Sequence, residues 1–295
     1  MRFKDQTDYE LIDFGEGRKL ERWGDIWLDR PSPAADSTRR SQPTLWRNAH
    51  GQFQRTGGEQ GVWQWSKKTK DLWELSFGSM NVEVGPTPFG HLGLFPEQQQ
   101  NWQWIRDQSE ARRRPLKILN LFAYTGASTL AAANPRNEVV HVDASKSSVA
   151  KARRNACLSG LDQYKIRWIV EDVLKFCRRE LKRGNRYDAI ILDPPTYGHG
   201  PKGEKWTIDQ HLNELLQCCQ QLWSGHQGYF LLTSHSDSMT NAMIKQLAAS
   251  LLSSSKSDDL RRVVEAGSMD LETQDHRRLN CGRFARWTLE GEKHD

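Results

Sequence analysis

Cysteine is scarce in this chain: five residues in 295, at Cys157, Cys177, Cys218, Cys219 and Cys281. None forms a Cys-x-x-Cys pair, and the adjacent Cys218 and Cys219 are awkwardly spaced for a bridge. This spacing argues against a disulfide-stapled scaffold or a zinc module and predicts reduced thiols with no metal site. No apolar run reaches the length of a membrane-spanning helix. Charged residues run through the first thirty positions and leave no apolar signal core, so a cytoplasmic location is expected. Neither sign of charge dominates. The 42 Lys and Arg against 37 Asp and Glu give a formal charge of +5, which permits a polyanionic partner without requiring one. Internal repeats are absent. Tryptophan, by contrast, is plentiful: twelve residues, eight of them before Lys117. One indole covers much area, so this density reads as the core of a small domain rather than as a base-stacking surface.

The first ninety residues lack helical periodicity. Trp73-Glu74-Leu75-Ser76-Phe77 and Met80-Asn81-Val82-Glu83-Val84 alternate apolar and polar around Gly78-Ser79, which predicts a hairpin with a type II′ turn. Val62–Trp65 and Trp23–Leu28 read as shorter strands, and residues 31–60, rich in Pro, Gly, Ser and Arg, as irregular loop. Pro96 suits the first turn of a helix running through Gln98, Trp102 and Ile105, and Arg112-Arg113-Arg114-Pro115 reads as a solvated linker. From Lys117 the pattern alternates. Strands are expected at 117–122, 138–142, 166–170, 187–192, 228–233, 260–265 and 283–289. Helices are expected at 146–159, 173–183, 208–223 and 238–253. The predicted architecture is α/β: a Rossmann-like, seven-stranded, mostly parallel sheet with helices on both faces, plus a small N-terminal β-rich domain. The corresponding divisions are 1–90, a connecting helix and linker over 91–116, and a catalytic domain over 117–295.

In such a sheet the ligand crevice lies beyond the carboxyl ends of the strands, and every polar motif of this region falls at such an end. The first is Asn120 to Ser128, a turn with one glycine, Gly126, where the backbone can approach a ligand closely. One glycine is not the Gly-x-Gly-x-x-Gly pattern of dinucleotide binding. Asp143 ends the second strand, where a carboxylate can accept from both hydroxyls of a ribose. Ser145 is better placed to cap the following helix. Asp172, after the third strand, suits either an adenine amine or a helix cap. Asp193-Pro194-Pro195-Thr196-Tyr197 follows the fourth strand. Two prolines stiffen this turn and remove two N–H donors, so that Asp193 and the Pro194 carbonyl can orient an amine or base edge. Residues 198–206 read as a long loop beyond. His235 ends the fifth strand and is a candidate base or substrate contact.

Leu119-Asn120-Leu121-Phe122-Ala123-Tyr124-Thr125-Gly126, Val142-Asp143-Ala144-Ser145-Lys146, Ala152-Arg153-Arg154-Asn155 and Asp193-Pro194-Pro195-Thr196 together resemble the class I S-adenosylmethionine-dependent methyltransferases. Within that group the chain resembles the large-subunit ribosomal RNA cytosine-5 methyltransferases and the uncharacterised branch of that family. Gly93-Leu94-Phe95-Pro96-Glu97-Gln98 resembles the family's Gly-x-Phe-Leu-Asp-Gln element, and Tyr9–Asp13 with Arg18–Arg22 resembles the start of the second branch. The resemblance implies S-adenosyl-L-methionine as cofactor. Phe122, Ala123, Tyr124, Thr125 and Gly126 would lie at its methionine part and Asp143 at its ribose, with Ala144 and Ser145 beside it. Asp172 would lie at its adenine and Asp193 by the sulfonium, with Gln98 near the cofactor too. An RNA substrate is implied as well.

There is one departure. Methylating carbon 5 of a pyrimidine needs a thiolate to add at carbon 6. The family places that Cys at the end of the fifth strand or just after the prolines, where this chain has His235 and Thr196. The Asp-Pro-Pro-Thr ending also resembles guanine N7 methyltransferases of the same superfamily. Transfer to a nitrogen or oxygen is therefore expected, with Asp193, Pro194 and His235 as the catalytic candidates. A nicotinamide-dependent oxidoreductase on a similar sheet and a catalytically silent RNA-binding relative are the alternatives.

Overall fold

The computed structural model describes residues 7–58, 60–225, 228–236, 239–250 and 261–290. The chain forms two compact units, one reaching to Glu97 and including Asp270–Cys281, the other comprising Gln98–Met269 and the chain from Gly282.

The first unit is built of strands. β1 (Tyr9–Gly15), β2 (Arg18–Trp23), β3 (Ile26–Pro31), β4 (Gly51–Gly57) and β5 (Gln60–Trp65) form one sheet in that order. All neighbours are antiparallel except β3 and β4. β6 (Trp73–Phe77) and β7 (Met80–Val84) form the expected hairpin. Gly78 takes a φ of 59° and Ser79 does not have a positive φ, as a type II′ turn requires. Two expectations change. Trp23–Leu28 is not one strand: Gly24, at φ 63°, turns the chain between β2 and β3. The supposed loop 31–60 contains β4, because Gly51 and Phe53 face Trp65 and Trp63 across the ladder. That tertiary pairing outweighs the local turn propensity. Trp23 is fully buried with Tyr9 packed edge-on at 4.8 Å, so tryptophan does build this core.

The second unit alternates. α1 (Gln99–Ala111) leads to β8 (Lys117–Leu121), α2 (Ala127–Ala132), β9 (Glu138–Asp143), α3 (Lys146–Leu158), β10 (Lys165–Val170), α4 (Val173–Lys182) and β11 (Ala189–Leu192). A small hairpin of β12 (Tyr197–His199) and β13 (Lys205–Thr207) follows. Then come α5 (Ile208–Leu222), β14 (Gly228–Ser234), α6 (Asn241–Ser250), β15 (Arg261–Glu272) and β16 (Arg278–Glu290). The seven-stranded sheet has the order β10-β9-β8-β11-β14-β16-β15. Its ladders are parallel from β10 to β14, and β16 is antiparallel to β14. β11 and β14 are buried along their whole length, which explains their uninterrupted apolar sequence. Val173, Phe176, Leu212, Leu215 and Trp287 belong to one buried apolar cluster with the strands of this sheet.

Pro96 opens a short 3-10 turn, Pro96–Gln98, from which α1 continues. The loop expected at 198–206 is the β12–β13 hairpin. The arginine run is not purely solvated: Arg112 donates to the Gly228 carbonyl at 3.1 Å and Arg114 pairs with Asp188 at 2.9 Å. β15 and β16 are longer than expected. Of the helix expected at 238–253, residues 241–250 are helical, and 238 and 251–253 lie outside the described residues, as does 260.

Candidate active site

The order of the sheet reverses between β8 and β11, which are neighbours in space though β9 and β10 lie between them in sequence. The ladder register aligns Leu121 with Val142 and with Leu192, and Leu192 with Leu232. The strand ends carrying the predicted motifs therefore form one continuous rim at the reversal, where open α/β sheets place their ligands.

The loop leaving β8 is conformationally costly. Phe122 and Tyr124 take φ values of 55° and 48°, and Gly126 takes 94°. For residues with a Cβ this region costs ~1–2 kcal/mol each, and strain of this kind collects at functional sites. Four hydrogen bonds hold the loop: Ala123 N–H to Val142 O at 3.1 Å, Gly126 N–H to Ala123 O at 3.0 Å, Tyr124 N–H to Asp143 Oδ2 at 2.8 Å, and the buried Asn155 amide to Thr125 O at 2.9 Å. Beneath lies a buried chain in which the Asn120 amide donates to the Thr129 hydroxyl and that hydroxyl meets His141 Nδ1, both at 2.9 Å. Burial, aided by the Arg153 charge, holds the His141 imidazole down to about 3, so it is neutral scaffolding.

Gly126 has a packing role in addition to its conformational one. A Cβ there would lie 2.9 Å from the Ala152 Cβ on α3. Gly126→Ala is expected to destabilise by ~1–2 kcal/mol from backbone strain alone. In a thermal unfolding scan this lowers the midpoint by roughly 3–6 °C, and an unchanged midpoint would refute the argument.

Asp143 ends β9 half-buried. Ser145 caps α3 by accepting from the Ser148 N–H at 3.2 Å, as expected. Asp143 is nevertheless engaged: its two oxygens accept from the Tyr124 and Ser145 N–H groups, both at 2.8 Å. Each carboxylate oxygen has a second lone pair, so the side chain can brace the β8 loop and still accept from a ligand. Burial raises its pKa, and these two bonds oppose the rise. Ala144 and Ser145 are half-buried beside it. Asp172 caps α4 by accepting from the Lys175 N–H at 2.9 Å, so the capping role is realised through one oxygen. Its neighbour Glu171 pairs with Arg179 at 2.6 Å.

Asp193, at the end of β11, sits within a group of polar side chains. It accepts from the buried Gln98 amide at 3.2 Å and from the Thr233 hydroxyl, and His235 Nε2 lies 3.5 Å from its Oδ1. Burial pushes its pKa up, but the His235 hydrogen bond and charge, with Thr233 and Gln98, hold it below the usual value. Gln98 is itself oriented, since Asn101 donates to its Oε1 at 2.8 Å. Pro194 is buried and Pro195 exposed. The Pro195 carbonyl is taken by the Trp206 indole at 2.7 Å, whereas no donor among the described residues meets the Pro194 carbonyl. Trp206 also packs on Phe122 at 4.7 Å, linking the two loops. Sequence reasoning missed Asn101, Asn155, Thr233 and Trp206. Asn155, three residues past Ala152 on one helix face, was the one with a readable signal.

The profile of a family described as S-adenosylmethionine-dependent methyltransferase matches residues 59–237, more than half of the chain. The chain belongs to this family. A crystal structure of the SAM-dependent methyltransferase from Agrobacterium tumefaciens is 37% identical and superposes with a TM-score of 0.87 over 95% of this chain and 90% of that one. Ribosomal RNA large subunit methyltransferase I of Aeromonas salmonicida (strain A449) is 37% identical over 110 residues, 37% of this chain and 27% of that protein. The protein of the same name from Tolumonas auensis is 29% identical over 188 residues, 62% of this chain and 46% of that one. The chain thus spans about a quarter to a half of the length of these relatives. Membership decides for S-adenosylmethionine over a nicotinamide cofactor. Among the described residues no helix is long and apolar enough to cross a membrane.

Proposed function

We propose that this methyltransferase acts on large-subunit ribosomal RNA in the cytoplasm, at a nitrogen or oxygen atom. The observation that carries the reading is the set of carboxylates on one rim, Asp143 and Asp193 on either side of the sheet's reversal and Asp172 on the flank. S-adenosylmethionine offers ribose hydroxyls, an adenine amine, an ammonium and a sulfonium, all donors or cations, so the residues present fit it. Asp143 would hold the ribose and Asp172, through its remaining acceptor capacity, the adenine amine. The strained Phe122–Gly126 loop would hold the methionine part, and Gln98 would lie near the sulfonium. When bound, the cofactor supplies a methyl group already activated on sulfur, so catalysis reduces largely to alignment.

Asp193 and the Pro194 carbonyl are acceptors on a stiff turn and would orient an N–H or O–H of the acceptor nucleotide. Asp193 would accept the released proton, with His235 Nε2 beside it supporting the carboxylate's charge. Nitrogen or oxygen transfer is supported by where the thiols lie. Cys177, Cys218 and Cys219 are buried in α4 and α5, and Cys157 ends α3. Burial pushes the Cys281 thiol up to about 12. None stands in the chain just after β11 or at the end of β14, the positions where the carbon-5 enzymes of the resembled family carry their nucleophile. The ribosomal RNA acceptor is supported by the names of the relatives.

The test is labelled-methyl transfer from S-adenosylmethionine to deproteinised large-subunit ribosomal RNA, followed by mass spectrometry of the nucleosides. Methylated nitrogen or ribose oxygen is the expected product. A 5-methylcytosine product would overturn the acceptor assignment, and tight RNA binding without incorporation would favour the silent relative. Asp143→Ala is expected to weaken cofactor binding about ten- to hundredfold by calorimetry, the cost of one or two lost charge-assisted hydrogen bonds. Because burial raises the Asp143 pKa, wild-type cofactor affinity should begin to fall, on acidification, at a higher pH than an ordinary Asp would dictate.

A further inference from the structure

We infer that the end of the β4–β5 hairpin in the first unit is an RNA-docking surface, with a stacking platform at Trp63 and Trp65 and a cationic edge at Arg47 and Lys67, Lys68 and Lys70. The inference rests on the RNA reading above and adds the surface that would grip that RNA.

The charge distribution comes first. Between Asp36 and Asp71 the chain carries seven Lys and Arg residues and a single acid, Glu59. That surplus of six exceeds the +5 of the entire chain, so the protein's net positive charge resides in this one stretch. Arg40 is committed, paired with Glu16 and stacked over Trp46. Arg47, Lys67, Lys68 and Lys70 are exposed, and none pairs with an acid among the described residues. A cation left without a protein partner retains its full attraction for phosphate.

The fold gathers these side chains. Arg47 lies in the short 3-10 turn Leu45–Asn48 just before β4. The Ser66 N–H donates to the His50 carbonyl at 2.9 Å, which closes the ladder where β4 begins and β5 ends. The His50 ring accepts from the Trp27 N–H at 2.9 Å. Burial and the nearby Lys67 charge keep its imidazole below the usual value. Lys67 is thus beside His50, three positions past Arg47, and Lys68 and Lys70 follow within three residues in the chain.

The aromatic pair supplies the second, independent observation. Trp63 and Trp65 alternate on one face of β5 and stack at 5.4 Å with 19° between their planes. Both are half-exposed, unlike the buried Trp23 and Trp46. They are held in place from below. A Cβ on Gly51 would lie 2.6 Å from the Trp65 ring, so the indole rests directly on glycine backbone, and the Trp63 indole N–H donates to Thr87 O at 2.9 Å. Pre-positioned, partly exposed rings next to unpaired cations are what single-stranded nucleic acid binds, its bases stacking and its phosphates paired. An acidic protein would use the cations but leave the platform idle.

The experiment uses the full chain and deproteinised large-subunit ribosomal RNA, with binding measured over a series of salt concentrations. The triple variant K67Q/K68Q/K70Q is expected to bind about ten- to hundredfold more weakly at moderate salt. Its slope of log affinity against log salt should be shallower by about 2, the loss of three phosphate contacts. Trp65→Ala should weaken binding about tenfold with the slope unchanged, and Trp65→Phe should recover much of it. An unchanged thermal unfolding profile of the full chain certifies that each variant is folded. In methyl transfer the triple variant should raise KM for RNA and leave kcat alone. An unaltered slope and KM in the triple variant, or equal competition by polyglutamate, overturns the surface. If the wild type instead methylates no ribosomal RNA, the substrate reading itself has failed, a result distinct from an RNA methyltransferase indifferent to these substitutions.

Discussion

Asp193→Asn is expected to slow methyl transfer about 10²–10³-fold while S-adenosylmethionine affinity changes less than about tenfold. The substitution keeps the side chain's size, so the β11 turn and its prolines stay in place. What changes is the hydrogen-bond pattern. Oδ2 of Asp193 accepts from the Gln98 amide and Oδ1 from the Thr233 hydroxyl. An Asn can preserve the second bond, but its own N–H₂ then faces the N–H₂ of Gln98. Gln98 cannot simply flip, because its Oε1 already accepts from Asn101. The amide is driven off, the negative charge opposite His235 disappears, and the acceptor group would lose the oriented partner proposed for it. A rate loss of that size corresponds to ~3–4 kcal/mol of transition-state stabilisation. Single-turnover transfer with labelled cofactor measures the chemical step, and calorimetry measures cofactor binding. A variant with wild-type single-turnover rates would remove Asp193 from the mechanism. Because its partners depress the pKa of Asp193, the wild-type enzyme should stay active to a lower pH than an ordinary Asp would allow.

Glu21→Gln is expected to destabilise the protein by about 3–5 kcal/mol, as the loss of one member of a buried ion pair does. Glu21 is fully buried on β2. Arg30 grips it with Nε at 2.6 Å and Nη2 at 2.9 Å, Lys19 approaches at 3.1 Å, and the Tyr9 hydroxyl donates at 2.9 Å. Burial alone would raise its pKa, but the Arg30 and Lys19 charges outweigh it and hold the carboxyl at about 2, against an ordinary value of 4.5. By linkage a shift of that size contributes about 3 kcal/mol, in line with the mutational figure. The sign follows from the lowered folded pKa. The contribution is complete above the unfolded value and is lost as pH falls from about 4.5 toward about 2. Denaturant unfolding of the full chain at pH 7 and at pH 3 should therefore show a gap between wild type and variant that narrows in acid. A constant gap would mean that the pair contributes through packing rather than charge.

The fold of the second unit was legible because its signals are local and redundant. The inner parallel strands β11 and β14, buried on both faces, need runs such as Ala189–Leu192, and the parallel strands end in polar motifs. Asp143, Asp193 and Gly126 could be picked out for that reason, and Ser145 as a cap because capping involves only residues three apart. β4 and the β12–β13 hairpin were not legible. Their sequences carry turn signals, and what makes them strands is a ladder partner supplied from elsewhere in the chain. The side chains around Asp193 were hidden for a similar reason. Gln98, Thr233 and His235 reach it across separations of 40 to 95 residues, and no local pattern specifies such a meeting.

Composition and periodicity by themselves therefore determined the class of the larger sheet, the positions of its strand ends and the acids at its rim, because burial and capping act between near neighbours along the chain. Tertiary structure alone decided that Phe122 and Tyr124 adopt left-handed backbone conformations, that Asp143 braces a loop as well as facing the rim, and that Asp193 remains ionised. Each of these depends on groups brought together only when the strands pair, where a hydrogen bond or charge from a distant segment outweighs the preference of the residue itself.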